Sequence, residues 1–308
     1  MFTAVELGLI YAIMALGVYL TFRILDFPDL TVDGSFTTGA SVAAIMIVNG
    51  APPLLSTIAA FAAGLVAGVI TGLLHTKGKI NGLLAGILTM IALYSINLRI
   101  MGGSANIPLL REDTLITPLR ENGWLGTWVS IVIFSLVAIG VKLFLDWFLH
   151  TDMGLAMQAT GDNQEMIRSF GVSTDRMKIL GLALSNGFVA VCGALIAQYQ
   201  GFSDISMGIG LILVGLASVI IGQAVFGSRL IFISTLAVIL GAIAYRVFIT
   251  LALRIEWFDP SDVKLISSVL VILALILPQW KFFKKMPTYR TLKKTKDSAK
   301  ARGSYVGN

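Results

Sequence analysis

The stretch PDLTVDGSFTTGASVAAIMIVNG, from Pro28 to Gly50, joins two long apolar runs through an acidic segment. Asp26, Asp29 and Asp33 cluster where the first run ends and the second begins. In a water-soluble protein this would be an ordinary acidic turn. A carboxylate at the edge of a membrane-spanning segment is costly, however, and indicates a structural or functional role.

The composition indicates whether the acidic segment lies in a water-soluble protein or in a membrane protein. Of 308 residues, 56% are hydrophobic and 13% are charged, and the mean hydropathy is +0.86. Globular domains carry about 25% charged residues, so a soluble fold could not cover its surface, and we predict a polytopic membrane protein. One cysteine, Cys192, and two distant histidines, His75 and His150, argue against a disulfide framework and against metal catalysis.

The apolar segments predict an all-α fold. A membrane-spanning helix needs about 20 apolar residues, and by this measure we expect about eight to ten spans. Two candidates are short, which predicts broken helices. The candidate segments lie near residues 4–25, 34–50, 53–74, 80–98, 125–149, 178–199, 207–224, 230–252 and 263–279.

The basic residues predict the orientation. The tail 280–308 carries nine Lys and Arg residues against one acidic residue, Asp297. Because positive charge concentrates in cytoplasmic segments, we expect this tail and the loop 150–177 to be cytoplasmic and the N-terminus to lie outside. Anionic inner-leaflet lipid is a nearer partner for the tail than nucleic acid.

The acidic segment has a counterpart in the second half. LDFPDLTVDGSFTTGASVAAI begins at Leu25, and QGFSDISMGIGLILVGLASVI begins at Gln200. Asp29-Leu30-Thr31 in the first corresponds to Asp204-Ile205-Ser206 in the second, and the span count places the copies on opposite sides of the membrane. Inverted repeats with short, glycine-interrupted segments are typical of transport folds.

We therefore predict a membrane domain over residues 1–279, built from inverted halves at about 4–98 and 178–279. A linking helix at 125–149 would join them, followed by the cytoplasmic loop 150–177.

The paired acidic motifs favour helix capping. Asp29 or Thr31 can accept from free amides of the helix that begins near Gly34, which water cannot reach. The alternative is contact with a cationic group of a substrate. Recurrence of the motif favours the cap, since one substrate would hardly need it twice. The predicted helix-break and capping residues are Asp29, Thr31, Asp33, Asp204 and Ser206.

The cytoplasmic loop HTDMGLAMQATGDNQEMIRSFGVSTDRMK, from His150 to Lys178, contains a small amphipathic helix. Its sequence supplies an N-cap, an acidic first turn, an apolar stripe and a glycine stop. Interfacial helices usually carry a basic polar face, whereas here Arg168 stands alone among acids. The pattern favours docking into a protein groove over lying on lipid. The N-cap is Asp162 or Asn163, and the acid of the first turn is Glu165. The apolar stripe consists of Met166, Ile167 and Phe170, and the glycine stop is Gly171.

Polar residues inside spans are candidates for a transport pathway. Thr89, Ser95 and Asn97 lie in the segment 80–98, and Asn186 lies in the segment 178–199. Such residues face either a water-filled cavity or another helix. Hydrogen bonding between helices is the alternative role for all four.

Three further patterns have structural explanations. Gly64, Gly68 and Gly72, spaced by four, predict a smooth face for close helix packing. Lys142 and Asp146 are four apart, a spacing that predicts an ion pair. Arg246 lies near the outer end of its span, where a long side chain can extend to the surface.

The loop and the span after it, MGLAMQATGDNQEMIRSFGVSTDRMKILGLALSNGFVAVCGALIA, resemble the coupling region of ABC importer permeases of the class that serves branched-chain amino acids and ribose-type sugars. Gly154, Ala159, Gly161 and Gly171 stand at the family positions. The opening stretch is similar too, with Asp33 as an insertion, and the likeness runs from about residue 5 to residue 278. The segment DFPDLTVDGSF looks most like that of the tryptophan/tyrosine-type branch of these permeases.

The resemblance implies a permease subunit without enzymatic activity, for an amino acid that is aromatic or branched-chain. It implies a second permease copy, expected as a homodimer, two cytoplasmic ATPase subunits and an extracytoplasmic binding protein. The chain would bind no cofactor itself. ATP-Mg would be bound by the partner ATPase, since no G-x-x-x-x-G-K-[ST] loop is present. The implied coupling residues are Gly161, Asp162, Asn163, Glu165, Met166, Ile167, Arg168, Phe170 and Gly171. The alternative is a secondary transporter without an ATPase.

Overall fold

The computed structural model describes residues 1–227, 230–253 and 263–276. Over these ranges the chain is almost entirely helical, with one two-stranded sheet. A π-helical turn, Leu20–Ile24, continues the first helix. The elements in chain order are α1 Phe2–Tyr19, α2 Thr31–Val48, α3 Pro53–Thr76, α4 Gly82–Ile100, β1 Asn106–Pro108, α5 Thr117–Glu121, α6 Trp128–Leu149, α7 Asp152–Asp162, α8 Gln164–Ser169, α9 Thr174–Gln200, β2 Phe202–Asp204, α10 Leu211–Phe226, α11 Ile231–Ala252 and α12 Val263–Ile276.

Every predicted apolar segment contains a helix, so the all-α polytopic prediction is confirmed. Within the described ranges, seven helices are long and apolar enough to cross a membrane, namely α1 with its π-helical turn, α2, α3, α4, α6, α9 and α11. The helix α10 is shorter and starts later than the predicted residue 207, because Gly210 adopts a positive φ of 85° just before it. The basic tail 280–308 lies outside the described residues.

The helices of the two halves pack reciprocally. In the first half α2 packs on α3 and α4, and in the second half α10 packs on α11 and α12. The first helix of each half packs on the other half. The first helix of the N-terminal half, α1, lies against α11, and the first helix of the C-terminal half, α9, lies against α3. This exchange gives both halves the same internal arrangement, as an internal repeat requires. The domain boundaries themselves stay a prediction.

Small residues allow the closest of these contacts. A Cβ atom on Gly64 would collide with the carbonyl oxygen of Asn186, and one on Gly68 with that of Leu182. Gly72 meets the backbone of Ile179 in the same way. The predicted packing role of the three glycines is therefore confirmed, and their partner is α9.

Three charged residues inside spans have partners on neighbouring helices. The predicted pair is confirmed, with Lys142 Nζ 2.5 Å from Asp146 Oδ2 and both side chains buried. Thr235 on α11 donates to the other carboxylate oxygen at 2.7 Å. Arg246 does not extend outward as expected. Its guanidinium lies 3.8 Å from the ring centroid of Tyr11, an attractive cation–π geometry that ties α11 to α1.

The connection between α4 and α6 contains a feature that the sequence analysis did not predict. β1 pairs antiparallel with β2, and Ile107 lies opposite Ser203. Ile107 is buried in a small apolar cluster with Met101, Leu109 and Ile205. This sheet joins the connection after α4 to the chain just before α10, at the end of the helices predicted to face outside.

Candidate translocation site and coupling surface

Asp29 lies at the centre of a buried polar cluster. Its Oδ1 accepts from the backbone amide of Thr31 at 2.9 Å, and its Oδ2 accepts from Asn186 Nδ2 at 2.7 Å. Ser35 donates to the other end of the same amide, Asn186 Oδ1, at 2.6 Å. Buried polar groups need such partners, since an unmet one costs free energy. The break between α1 and α2 is thereby attached to α9.

The acidic motif of the second half adopts the same local turn. Asp204 Oδ1 accepts from the amide of Ser206 at 2.8 Å, as Asp29 does from Thr31. The surroundings differ, because Asp29 is fully buried and Asp204 is not. Partial burial of Asp204 opposes ionisation, but hydrogen bonds from the Ser206 hydroxyl and amide and from Asn106 outweigh it and lower the pKa of Asp204.

Asp33 caps a different helix from the one it belongs to. It lies in the first turn of α2, yet its Oδ2 accepts from the amide of Gly210 at 2.7 Å and its Oδ1 from the amide of Ile212 at 2.8 Å. The first amides of α10 have no partners within their own helix, and an anion is favoured there. Asp33 was predicted to cap its own break. The structure instead shows it joining the starts of α2 and α10.

A cavity of about 330 Å³ lies where these two helix starts meet α4. Its wall comes from the first turns of α2, from one face of α4 and from the segment 205–209. Of the four predicted pathway residues, Ser95 and Asn97 line this cavity.

The other two predicted pathway residues lie elsewhere. Thr89 is buried and donates to the carbonyl of Ala85 at 3.0 Å. Asn186 belongs to the polar cluster around Asp29. For Asn186 the structure favours the alternative of hydrogen bonding between helices, whereas the bond of Thr89 stays within α4.

Sequence reasoning missed several cavity residues. Asp33 was assigned to capping, with contact to a cationic group of a substrate as the alternative, and Tyr94 was not among the pathway candidates although it lies one residue from Ser95. The segment 205–209 lines this cavity only because the two halves pack together. No pattern in the neighbouring sequence therefore indicated it. The insertion of Asp33 relative to the family pattern was the available hint.

The loop 150–177 forms two helices rather than one. The predicted element from Gly161 to Gly171 is wrong in this respect, because Asn163 is extended, with φ −157° and ψ 100°, and separates α7 from α8. Gly161 and Asp162 therefore end α7. Asn163 Oδ1 accepts from the amide of Met166 at 3.0 Å, and this settles which of the two candidate residues caps α8.

The short helix α8 presents apolar side chains to its surroundings. Met166 is 46% exposed and Phe170 is 74% exposed, whereas Ile167 is half-buried. Arg168 has partners within the chain, since its Nε donates to Thr174 Oγ1 at 2.8 Å and its Nη2 lies 3.5 Å from Asp175. Gly171, with φ +83°, ends this segment. The predicted contact with an ATPase stays a prediction.

Comparison with known proteins assigns this architecture. The profile of the family described as "Branched-chain amino acid transport system / permease component" matches residues 1–277. The chain belongs to this permease family.

Similar members of the permease family come from several bacteria. The tyrosine transport system permease protein of Clostridioides difficile (strain R20291) is 45% identical over 265 residues, which are 86% of each chain. A ribose import permease protein of Escherichia coli (strain K12) is 24% identical over 229 residues, 72% of this chain and 68% of that relative.

The fold is also shared with a solved structure. PsaBC from Streptococcus pneumoniae in complex with Fab aligns with a TM-score of 0.52 at 14% identity, over 96% of this chain and 93% of the other. Membership of the permease family makes the chain a multi-pass membrane subunit of an importer for small solutes. The family is that of ABC importers, in which an ATPase and a binding protein are the partners.

Proposed function

We propose that two copies of this permease form the pathway of an ATP-driven importer whose cargo is an aromatic amino acid such as tyrosine. The observation that carries the cargo is the 45% identity to a tyrosine transport permease, which extends over 86% of both chains. An external binding protein delivers the amino acid, and the permease itself carries out no chemical step.

The surface of α8 supports the attachment of the ATPase. Met166 and Phe170 stand exposed on a short helix whose one basic residue, Arg168, is paired with Asp175. Such a helix lacks the basic face that anionic lipid attracts, and apolar anchors at helical spacing suit a groove in a protein. Two ATPase subunits, one on each permease copy, bind ATP-Mg, and the permease binds no cofactor.

The charge pattern supports the orientation. The C-terminal tail, with nine basic residues, and α8 lie in the cytoplasm, and the sheet of β1 and β2 faces outside. The membrane is the bacterial inner membrane. The exposed apolar faces of α4 and α6, which include Ile91 and Leu136, leave room for a second permease copy as well as for lipid.

Two measurements test this function. The first is uptake of radiolabelled tyrosine into proteoliposomes that hold the permease, its ATPase and ATP inside and the binding protein outside. We expect ATP-dependent uptake that excess unlabelled tyrosine abolishes and that ribose leaves unchanged. If ribose competes and tyrosine does not, the cargo assignment is wrong.

The second measurement is co-purification of the ATPase with the permease. The double change Met166→Asp, Phe170→Asp places two charges at the exposed apolar positions of α8 and its C-cap. We expect loss of the ATPase from the purified complex. Leu110→Asp is the matched control, because Leu110 is 68% exposed at the opposite end of the molecule. Retention of the ATPase by the double variant would overturn the coupling role of α8.

A further inference from the structure

The cavity between α2, α4 and the segment 205–209 has the size of a small-molecule site. Its volume is about 330 Å³, and ligand pockets in proteins usually measure about 300–1,000 Å³. It lies where two broken helices begin, which is where transporters built from inverted repeats bind their cargo. The chemistry of its wall then decides which cargo it can recognise.

Most of the cavity wall is apolar or aromatic. Met90 and Ile91 of α4, together with Ile205 and Ile209 of the facing segment, contribute hydrocarbon, and Tyr94 contributes a ring. An aromatic ring packs well on such a surface, because apolar contacts and ring–ring contacts both stabilise it there. The apolar part of the wall therefore suits the side chain of an aromatic amino acid.

Asp33 and Thr37, two polar residues of the wall, already bond within the fold. Both carboxylate oxygens of Asp33 accept from backbone amides at the start of α10. The hydroxyl of Thr37 donates to the backbone carbonyl of Asp33 at 3.3 Å. These two residues hold the helix starts together, so we look for recognition of the cargo in another polar group.

Asn97, also on the wall, has an acceptor atom without a donor. The residue is 1% exposed, and its Nδ2 donates to the carbonyl of Gly34 at 3.4 Å. Its Oδ1 is buried and has no hydrogen-bond partner among the described residues. A buried amide oxygen without a donor is unfavourable, so a donor supplied by a cargo would remove an existing cost.

The amide of Asn97 can turn toward the cavity at little cost. Its bond to the carbonyl of Gly34 is longer than the usual 2.7–3.2 Å of an N–H···O bond. That carbonyl also accepts from the hydroxyl of Thr38 at 3.0 Å, and it keeps this partner when the amide leaves. The last side-chain torsion of asparagine has a broad energy profile, so rotation about it can present Oδ1 to the cavity.

We infer that Asn97 recognises the phenol hydroxyl of a tyrosine cargo, with Oδ1 as the acceptor and the ring packed between α4 and the segment 205–209. A neutral amide oxygen beside an apolar wall suits a neutral donor carried on an aromatic ring. This inference rests on the proposed function, because it names the part of tyrosine that the same pathway reads. The permease itself then distinguishes tyrosine from phenylalanine, which lacks the donor.

Recognition can be measured without transport and without the binding protein. Cys192 is the single cysteine of the sequence and is buried, so Cys192→Ala gives a background without cysteine. Ser95→Cys then places a thiol at the exposed wall of the cavity. Its rate of reaction with N-ethylmaleimide is measured in the permease–ATPase complex, with increasing tyrosinamide or phenylalaninamide. Ser104→Cys, in the exposed outer connection, is the control that neither amide should protect.

We expect tyrosinamide to give half-protection of Ser95→Cys at a concentration about tenfold lower than phenylalaninamide, the upper end of the effect of one neutral hydrogen bond. Asn97→Leu should abolish this difference. Thr89→Val should preserve it, because Thr89 lies on the same helix but does not line the cavity. Equal half-protection by the two amides with Asn97 in place, or no protection by tyrosinamide, would overturn the inference.

A third ligand tests the donor without any change at Asn97. O-methyltyrosinamide keeps the ring and its oxygen but has no proton to donate, so it should protect no better than phenylalaninamide. Protection equal to that by tyrosinamide would contradict the inference, since the oxygen alone would then be recognised.

Thermal unfolding separates recognition from a role in the fold. Asn97→Leu replaces an amide that has an unmet acceptor with hydrocarbon of similar size, a change that is nearly neutral or stabilising when a buried polar group lacks its partner. We expect the unfolding midpoint of the complex without ligand to be no lower than that of wild type. A lower midpoint would assign Asn97 to the stability of the fold and would count against the inference.

The two levels of proposal fail in different ways. If proteoliposomes take up no tyrosine while tyrosinamide protects better than phenylalaninamide and Asn97→Leu removes the difference, the proposed cargo is wrong and the hydroxyl site stands. If tyrosine uptake is normal while the two amides protect equally, the importer assignment stands and the hydroxyl site is wrong.

Discussion

The carboxylate of Asp33, in the first turn of α2, accepts a hydrogen bond from the backbone amide of Ile212, in the first turn of α10, at 2.8 Å. The two residues are separated by 179 positions. Each helix begins inside the fold, and one side chain satisfies the amides of the opposite helix. The meeting point of the two halves is thus held by a contact that also places an anion on the cavity wall.

The first prediction concerns this contact. Asp33→Ala leaves the amides of Gly210 and Ile212 without a partner, and loss of a helix cap costs about 0.5–2 kcal/mol. We expect a lower thermal unfolding midpoint for the purified complex. Asp26→Asn removes an exposed charge from the same connection, keeps a residue type that tolerates the positive φ of 50° there, and should leave the midpoint unchanged. Equal midpoints for both variants would show that the cap contributes nothing.

The second prediction concerns the pair Asp29 and Asn186, whose side chains bond at 2.7 Å. Asn186→Leu removes the hydrogen-bond donor of Oδ2 of the fully buried Asp29. An unsatisfied buried group costs about 1–3 kcal/mol, or more when it is charged. Adding Asp29→Leu to Asn186→Leu removes the unsatisfied group. We expect the double variant to be more stable than the sum of the single losses, as a double-mutant cycle of denaturation free energies would report. Additive losses would mean that the two side chains act independently.

The third prediction concerns the contact of α3 with α9. Gly68→Ala puts a methyl group against the backbone of Leu182 and Ala183, so the helices must move apart. We expect clear destabilisation and a lower yield of folded complex. Gly140→Ala in α6 is the matched change, since a Cβ there meets nothing. It should be neutral or stabilising by up to about 1 kcal/mol, because alanine favours helix over glycine. Similar behaviour of both variants would contradict the close packing.

The fourth prediction concerns acid. The pKa of Asp204 is lowered in the folded protein by bonds from Ser206 and Asn106. A lowered pKa adds stability that is complete above the ordinary pKa of aspartate, about 3.9, and that is lost as pH falls through the lowered value. Asp204→Asn should therefore reduce the unfolding midpoint at pH 6, and the difference from wild type should shrink as the pH falls below 4. A difference that is constant with pH would assign the effect to packing.

Predictions about contacts between residues close together in the chain were confirmed more often than predictions about contacts between helices. Asn163 caps α8, and Lys142 pairs with Asp146, because each contact joins residues within four positions, where helix geometry fixes the neighbours. Asn186 was a pathway candidate with hydrogen bonding between helices as the alternative, and Arg246 was expected to extend outward. Their partners, Asp29 and Tyr11, lie on other helices, and spacing along one helix does not identify them.

The sequence by itself determined that this chain is a helical membrane permease, which segments span, and where short helices begin. These properties follow from local apolar length and from caps, which act within a few residues. Only the tertiary structure decided that Asp33 caps α10, that Asn97 lines a cavity and that Asn186 is used for packing. A polar side chain inside a membrane protein takes whichever partner the folded bundle brings to it. That partner depends on how the two halves pack, and not on the residues beside it in the chain.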